Sequence, residues 1–224
     1  MAEIQGGKGS PSLDMTPMVD LAFLLVTFFM LTAQFKPQEV VMVDTPTSQS
    51  PKEVPKKDIL IVTIDSIGRV FFTLDMPQVK REALAYVAGK YQFSLTEGQT
   101  KKFVNEGMFG VPVKALAPYL DAEGDERKAI MNQYKGIPYD STNNELFNWV
   151  QGVQIAHFNL RKAQKDLIEA GGTIPKKDVM DKLKYAIKAD GNAKYEKVQE
   201  VINTFQDERL NINTFSLITD LEKF

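Results

Sequence analysis

The 224-residue chain contains no cysteine, one histidine and one tryptophan. Without cysteine there is no disulfide, no zinc–thiolate centre and no thiol nucleophile. With His157 as its sole histidine, a single chain cannot assemble a histidine-based metal site. A surplus of positive charge is missing too. Beyond residue 35 the chain carries 26 basic and 26 acidic side chains, because residues 1–35 contribute only Lys8 against Glu3, Asp14 and Asp20. Nothing in that balance points to nucleic acid. The segment Gly6–Ser10 lacks the spacing of a phosphate loop and does not join a strand to a helix. No pair of carboxylates reads as a catalytic dyad. The chain is therefore not read as an enzyme, and the sequence asks for no cofactor or metal.

What is present is one long apolar run. From Met18 to Phe35 fourteen of eighteen residues are apolar, the exceptions being Asp20, Thr27, Thr32 and Gln34, and no Lys or Arg lies between Lys8 and Lys36. A helix over residues 16–36 reaches about 30 Å at about 1.5 Å per residue, enough for a bilayer's hydrocarbon core. A signal peptide fits poorly. The start is not basic, an acidic residue lies early in the run, and cleavage after Ala33 would put Leu31 where a small residue belongs. A buried helix of a soluble domain fits poorly as well, since no flanking segment would cover all its faces. A single transmembrane helix is the expectation. The short tail before it argues for a cytoplasmic N-terminus, although Lys8 and Lys36 flank the helix on both sides and give little orientation by charge.

Thr16, Asp20, Thr27 and Gln34 recur at spacings of four and seven, which places them on one helical face. For Thr27 and Gln34 the plain reading is hydrogen-bonding contact between helices. Asp20 asks for more, because an ionisable group inside a membrane is costly and is a functional candidate by default. Low-dielectric surroundings disfavour the charged form of a carboxyl group. Such a group can take up a proton on one side and release it on the other. A charge falling through a membrane potential yields about 2.3 kcal/mol per 100 mV. One helix cannot enclose a water path, so partner helices must supply the walls.

The segment Leu13-Asp14-Met15-Thr16-Pro17-Met18-Val19-Asp20-Leu21 resembles the signature of the ExbD/TolR biopolymer-transport family. There a Thr-Pro-x-x-Asp motif leads from a short cytoplasmic tail into one transmembrane helix. The resemblance implies that Asp20 is the proton-carrying residue, that Asp14 and Pro17 belong to the helix-entry motif, and that Thr16 and Thr27 line or orient the proton path. Pro17 also suits a helix start, where its missing N–H is not needed. Further along, Val41–Pro46 resembles the extended segment after the family's helix. Ile59–Asp65, a turn at Ser66–Gly68 and Val70–Phe72 resemble its first strand pair. Ala189–Gly191 followed by Tyr195, Val198 and Val201 resembles its strand-to-helix junction, and Asn213–Thr219 its last strand. The resemblance thus covers both ends of the chain and leaves a long middle segment without a counterpart.

The expected organisation is a cytoplasmic tail (1–15), a transmembrane helix (16–36), an extended linker (37–57) holding Pro37, Pro46, Pro51 and Pro55, and a periplasmic α+β domain (58–224). In that domain a small mixed sheet packs with helices, with strands at 59–64, 70–72, 185–189 and 213–219 and helices at 77–89 and 195–205. Residues 91–178 have no counterpart in shorter family members and read as a mainly helical insert. Within it Thr142 and Glu145 form a capping-box pattern, and Gly171 is placed to end the helix. Between them Leu146, Trp149, Val153, Leu160, Ala163 and Leu167 repeat at helical spacing. That helix either packs on its own domain or offers a surface to a partner or the cell wall. His157 reads as an ordinary helix residue, and residues 123–127 as a solvated charged face.

For function, the resemblance implies a stator subunit of a proton-driven motor in the bacterial inner membrane. It would pair as a dimer inside polytopic ExbB/TolQ-like partners and pass force to a TonB-like or TolA-like protein that spans the periplasm. Alternatives are a TolR-like role in envelope integrity, a gliding or flagellar-type stator, and a passive membrane-tethered binding protein.

Overall fold

A computed structural model describes residues 15–32, 47–48, 57–140, 142–175, 178–212, 214–218 and 220–221. The chain divides into two units, Met1–Pro37 and Gln38–Phe224. In the first, the described residues form one helix, α1 (Thr16–Thr32). Residues 33–36, with which the expected transmembrane helix ends, lie outside the described residues.

The second unit begins, among the described residues, with the two-residue strand β1 (Thr47–Ser48). Its sheet is centred on β2 (Ile59–Ile64), whose sequence ILIVTI is almost all apolar or β-branched and whose residues are all buried except half-buried Ile61. A strand covered on both faces reads as a continuous apolar run. At its end the Asp65 carboxylate accepts hydrogen bonds from the backbone N–H of Ile67 (3.1 Å) and of Arg69 (2.7 Å), and Gly68 at φ 84° completes the reversal. The chain returns as β3 (Val70–Leu74), antiparallel to β2 with Ile64 opposite Val70. Helix α2 (Pro77–Tyr91) opens on a proline and buries Val79, Ala83, Leu84 and Val87, a stripe at helical spacing.

Residues 91–178 supply four helices, α3 (Glu97–Asn105), α4 (Val113–Asp121), α5 (Gly124–Gln133) and α6 (Glu145–Glu169), and the short strand β4 (Met108–Phe109). β4 pairs antiparallel with β3, so this segment contributes one edge of the sheet. It also contributes to the core. Trp149 of α6 lies 5.0–6.0 Å, centroid to centroid, from the rings of Phe72, Phe103 and Phe109. Offset and edge-on aromatic contacts are favourable at such separations. The chain then forms β5 (Lys184–Ala189), α7 (Tyr195–Phe205) and β6 (Ser216–Ile218), and the two-residue β7 (Asp220–Leu221) pairs parallel with β1. The five-stranded sheet has the order β4-β3-β2-β5-β6, with β5 parallel to both β2 and β6. Parallel neighbours need a crossover, and α7 provides the one between β5 and β6. The architecture is thus a mixed sheet packed with helices.

Three details depart from the sequence reading. The cap of α6 is Asn144, whose side chain accepts from Phe147 N–H (2.8 Å), and not Thr142. Thr142 instead donates to Asp140 Oδ1 (2.6 Å), and Glu145 is drawn away to α4, where its Oε2 accepts from Val113 N–H (2.7 Å). The apolar stripe of α6 is buried only through its first half. Leu146, Trp149 and Val153 are buried, Leu160 is half-buried, and Ala163 and Leu167 are exposed. The reason is length. α2 runs antiparallel to α6, with Tyr91 bonded to Asn148 and Tyr86 to Gln151, and its 15 residues cannot cover the 25 of α6. Finally, residues 123–127 are not merely solvated, because Arg127 pairs with Glu106 (2.8 Å) and lies 5.0 Å over the ring of Tyr119. Helix α6 does end at Gly171, which takes φ 87° and donates its N–H to Ile168 O. Of the last expected strand, Asn213 and Thr219 lie outside the described residues, while Ser216–Ile218 forms β6.

Candidate functional site

α1 carries most of the residues singled out above. Thr16 is its first residue and Pro17 its second. Asp20 lies one turn further, and Thr27 two turns beyond Asp20 on the same face. Asp14 and Gln34 lie outside the described residues. Every α1 side chain from Thr16 to Leu31 is exposed, including Phe23, Leu24, Met30 (74%) and Leu31 (88%). An apolar surface of that extent, broken only by Thr16, Asp20 and Thr27, marks a site of contact with lipid or with other protein. Asp20 therefore stands on a helix whose side chains are exposed from Thr16 to Leu31. No helix among the described residues is long and apolar enough to cross a membrane. α1 has 17 residues. At about 1.5 Å per residue it reaches about 26 Å, against a hydrocarbon core of about 30 Å.

Thr27 has a specific geometry. Its Oγ1 donates within the helix, 2.9 Å from Phe23 O and 3.0 Å from Leu24 O. The hydroxyl proton is thereby held by the helix's own backbone, and what Thr27 presents to the Asp20 face is acceptor capacity.

The second unit holds polar groups whose burial the sequence did not reveal. Lys80 of α2 is buried beside α3, donates to the backbone carbonyls of Glu106 and Val104, and lies 5.7 Å from the ring of Phe103. Desolvation lowers its pKa to about 8, against the attraction of Glu106 and Asp75. Burial likewise pushes the Tyr119 hydroxyl up to about 12. Glu145 is buried between the starts of α4 and α6, where its carboxylate meets the positive end of two helix dipoles. His157 is buried, and its Nε2 has no hydrogen-bond partner among the described residues. Burial lowers its pKa against the opposing pull of Asp58. No pattern at the level of residue spacing marks the burial of these groups, since the partners of Lys80 and the Val113 N–H bound by Glu145 lie 24 to 32 residues away along the chain. Among the described residues no three His, Cys, Asp or Glu side chains converge on a cation site.

A cavity of about 650 Å³ opens between the β2–β3 turn, the start of α4, the 132–145 segment and α7. Gly136 shapes one wall. It takes φ 80° and forms a bridge to Val70. A Cβ at that position would come within 2.5 Å of Val70 N. Both the backbone angle and the close approach call for glycine. Ile137 N–H donates to Val70 O (2.9 Å) and Tyr139 Oη to Gly68 O (2.9 Å), fastening the segment to the β2–β3 turn.

Comparison with known proteins decides the family. The family model described as biopolymer transport protein ExbD/TolR matches residues 7–220. This chain belongs to the ExbD/TolR family. A curated relative, the biopolymer transport protein ExbD of Pseudomonas aeruginosa, is 27% identical over 121 residues, which is 53% of this chain and 87% of the relative. No solved structure matches. As an ExbD/TolR-family protein the chain is a biopolymer-transport protein, associated with membrane partners.

Proposed function

We propose that this ExbD/TolR-family chain is the proton-carrying stator subunit of an inner-membrane motor that energises TonB-dependent transport across the outer membrane. The observation that carries the reading is Asp20, the one charged residue of the mostly apolar α1, whose side chains from Thr16 to Leu31 stand exposed. The segment 16–36, of which α1 is the described part, then spans the inner membrane as a single pass, with the N-terminus cytoplasmic and the sheet domain periplasmic. ExbB/TolQ-like polytopic subunits wall the Asp20 face, and a second copy of the chain shares their interior as a dimer. Asp20 takes a proton from the periplasmic side and releases it to the cytoplasm as its surroundings change. Thr16, Thr27 and Gln34 lie along the same path or at helix–helix contacts, and Asp14 and Pro17 set the helix entry. The periplasmic domain performs no chemistry and passes movement to a TonB-like protein. The name of the Pseudomonas aeruginosa relative favours the ExbD role over a TolR-like one.

The test is Asp20→Asn in a strain lacking the chromosomal copy. Energised uptake of an iron chelate should fall to the level of the deletion, while the variant still co-purifies with its membrane partners. Normal uptake by Asp20→Asn would refute the proton-carrying role. Restored detergent resistance without restored uptake would assign the TolR-like role instead.

A further inference from the structure

The cavity of about 650 Å³ has more hydrogen-bond donors than its own acceptors use. Four basic side chains line it, Arg69, Lys114, Lys135 and Lys197, against three acidic ones, Asp140, Glu145 and Glu200. The acids are largely engaged within the protein. Glu145 accepts from Val113 N–H and, at 3.2 Å, from Asn143 Nδ2. Both oxygens of Glu200 accept from Lys197 Nζ (3.2 and 2.9 Å). Asp140 Oδ1 takes the hydroxyl of Thr142 and the backbone N–H groups of Thr142 and Asn143. Arg69 is partly committed, through Nε to Asp65 (2.6 Å) and through Nη1 to Asn132 (3.2 Å). Lys114 and Lys135 are exposed and, among the described residues, make no hydrogen bond or ion pair. The rim also carries apolar surface, with Ile67 75% exposed at the turn tip and Tyr134 and Pro138 half-buried beside it.

We infer that this cavity binds a short acidic peptide segment of a partner protein, its carboxylates received by Lys114 and Lys135 and its apolar side chains laid against Ile67 and Tyr134. The volume lies in the range of binding pockets. Unused cationic donors select a ligand rich in anionic acceptors. The apolar rim favours a peptide, in which apolar side chains alternate with carboxylates, over an acidic polysaccharide, which has none. The site lies in the 91–178 segment and its neighbours, and it does not depend on what Asp20 does.

The test uses the purified full chain in detergent and a fluorescent hexapeptide alternating Glu and Leu, read by anisotropy. Saturable binding is expected, weakening severalfold as salt is raised through the range where screening sets in. Lys114→Gln and Lys135→Gln should each weaken it about tenfold, the effect of one charge-assisted hydrogen bond. The Gln/Leu peptide should not bind, and Asp20→Asn should bind like the unaltered chain. Both lysines are exposed, so their substitution leaves folding intact, as circular dichroism would verify. Absence of saturable binding, equal binding by the Lys114→Gln/Lys135→Gln double variant, or preference for an oligogalacturonate over the peptide would each overturn the inference.

Discussion

α1 and β2 are built from the same kinds of residue, large and apolar, and meet opposite fates. β2 buries every side chain but Ile61, which is half-buried, while α1 exposes every one from Thr16 to Leu31. For β2 the chain supplies the cover itself, through β3, β5 and the helices packed on the sheet. The apolar side chains of α1 are exposed, and a surface of that kind calls for lipid or protein contact. Apolar sequence therefore says that surface will be buried, and only the surrounding fold says by what. This is also why the two regions carry different work. On the proposed function, residues of the sheet domain hold a shape, and Asp20 on α1 works in an environment that partner subunits provide.

Substitutions sharpen that contrast. Trp149→Ala empties the middle of the aromatic cluster and should cost about 3–5 kcal/mol of unfolding free energy. Chemical denaturation would measure it, and an equal loss from Phe23→Ala on α1 would abolish the distinction between the two regions. Glu145→Ala leaves the Val113 N–H at the start of α4 buried without its acceptor and should cost about 1–3 kcal/mol. Glu145→Gln, which keeps an acceptor there, should cost less. An unchanged midpoint for Glu145→Ala would show that the two helix starts are not held together by this carboxylate.

His157 adds a pH dependence. Burial lowers its pKa below the ordinary 6.5, so the unfolded chain binds more protons than the folded one in the window beneath that value. Its neutral form contributes stability that is fully present above pH 6.5 and is lost as pH falls towards the depressed folded-state value. The slope for one proton is at most about 1.4 kcal/mol per pH unit. His157→Gln should flatten the fall in melting temperature as pH drops below about 6.5, and an unchanged slope would remove His157 as its source. The smallest effect is expected at the overhanging end of α6, where Leu167→Ala should change stability by less than about 1 kcal/mol. A loss there equal to that of Leu146→Ala would mean that the far half of the helix is covered after all.

Much of this was readable from residue order, for identifiable reasons. β2, α2 and α7 follow from local patterns, a β-branched apolar run for the first and apolar stripes at helical spacing for the others. Pro17, Asp20 and the apolar run after them carry the family resemblance by themselves. What local pattern could not give was competition between distant partners. Glu145 fits a capping box in sequence, yet the start of α4 takes its carboxylate. Leu167 fits an inward stripe, yet α2 is too short to reach it. Lys80 looks like a surface lysine until α3 ends over it. The cavity at Gly136 arises from a bridge to Val70, a pairing so distant along the chain that no local window of sequence contains it.

The most direct test of the central claim is proton flux. The chain is co-purified with its membrane partners, reconstituted into liposomes carrying an internal pH dye, and subjected to an imposed gradient. Flux through the unaltered complex, lost on Asp20→Asn and retained on Lys114→Gln, is the predicted result. Equal flux through the unaltered and Asp20→Asn complexes would contradict the account.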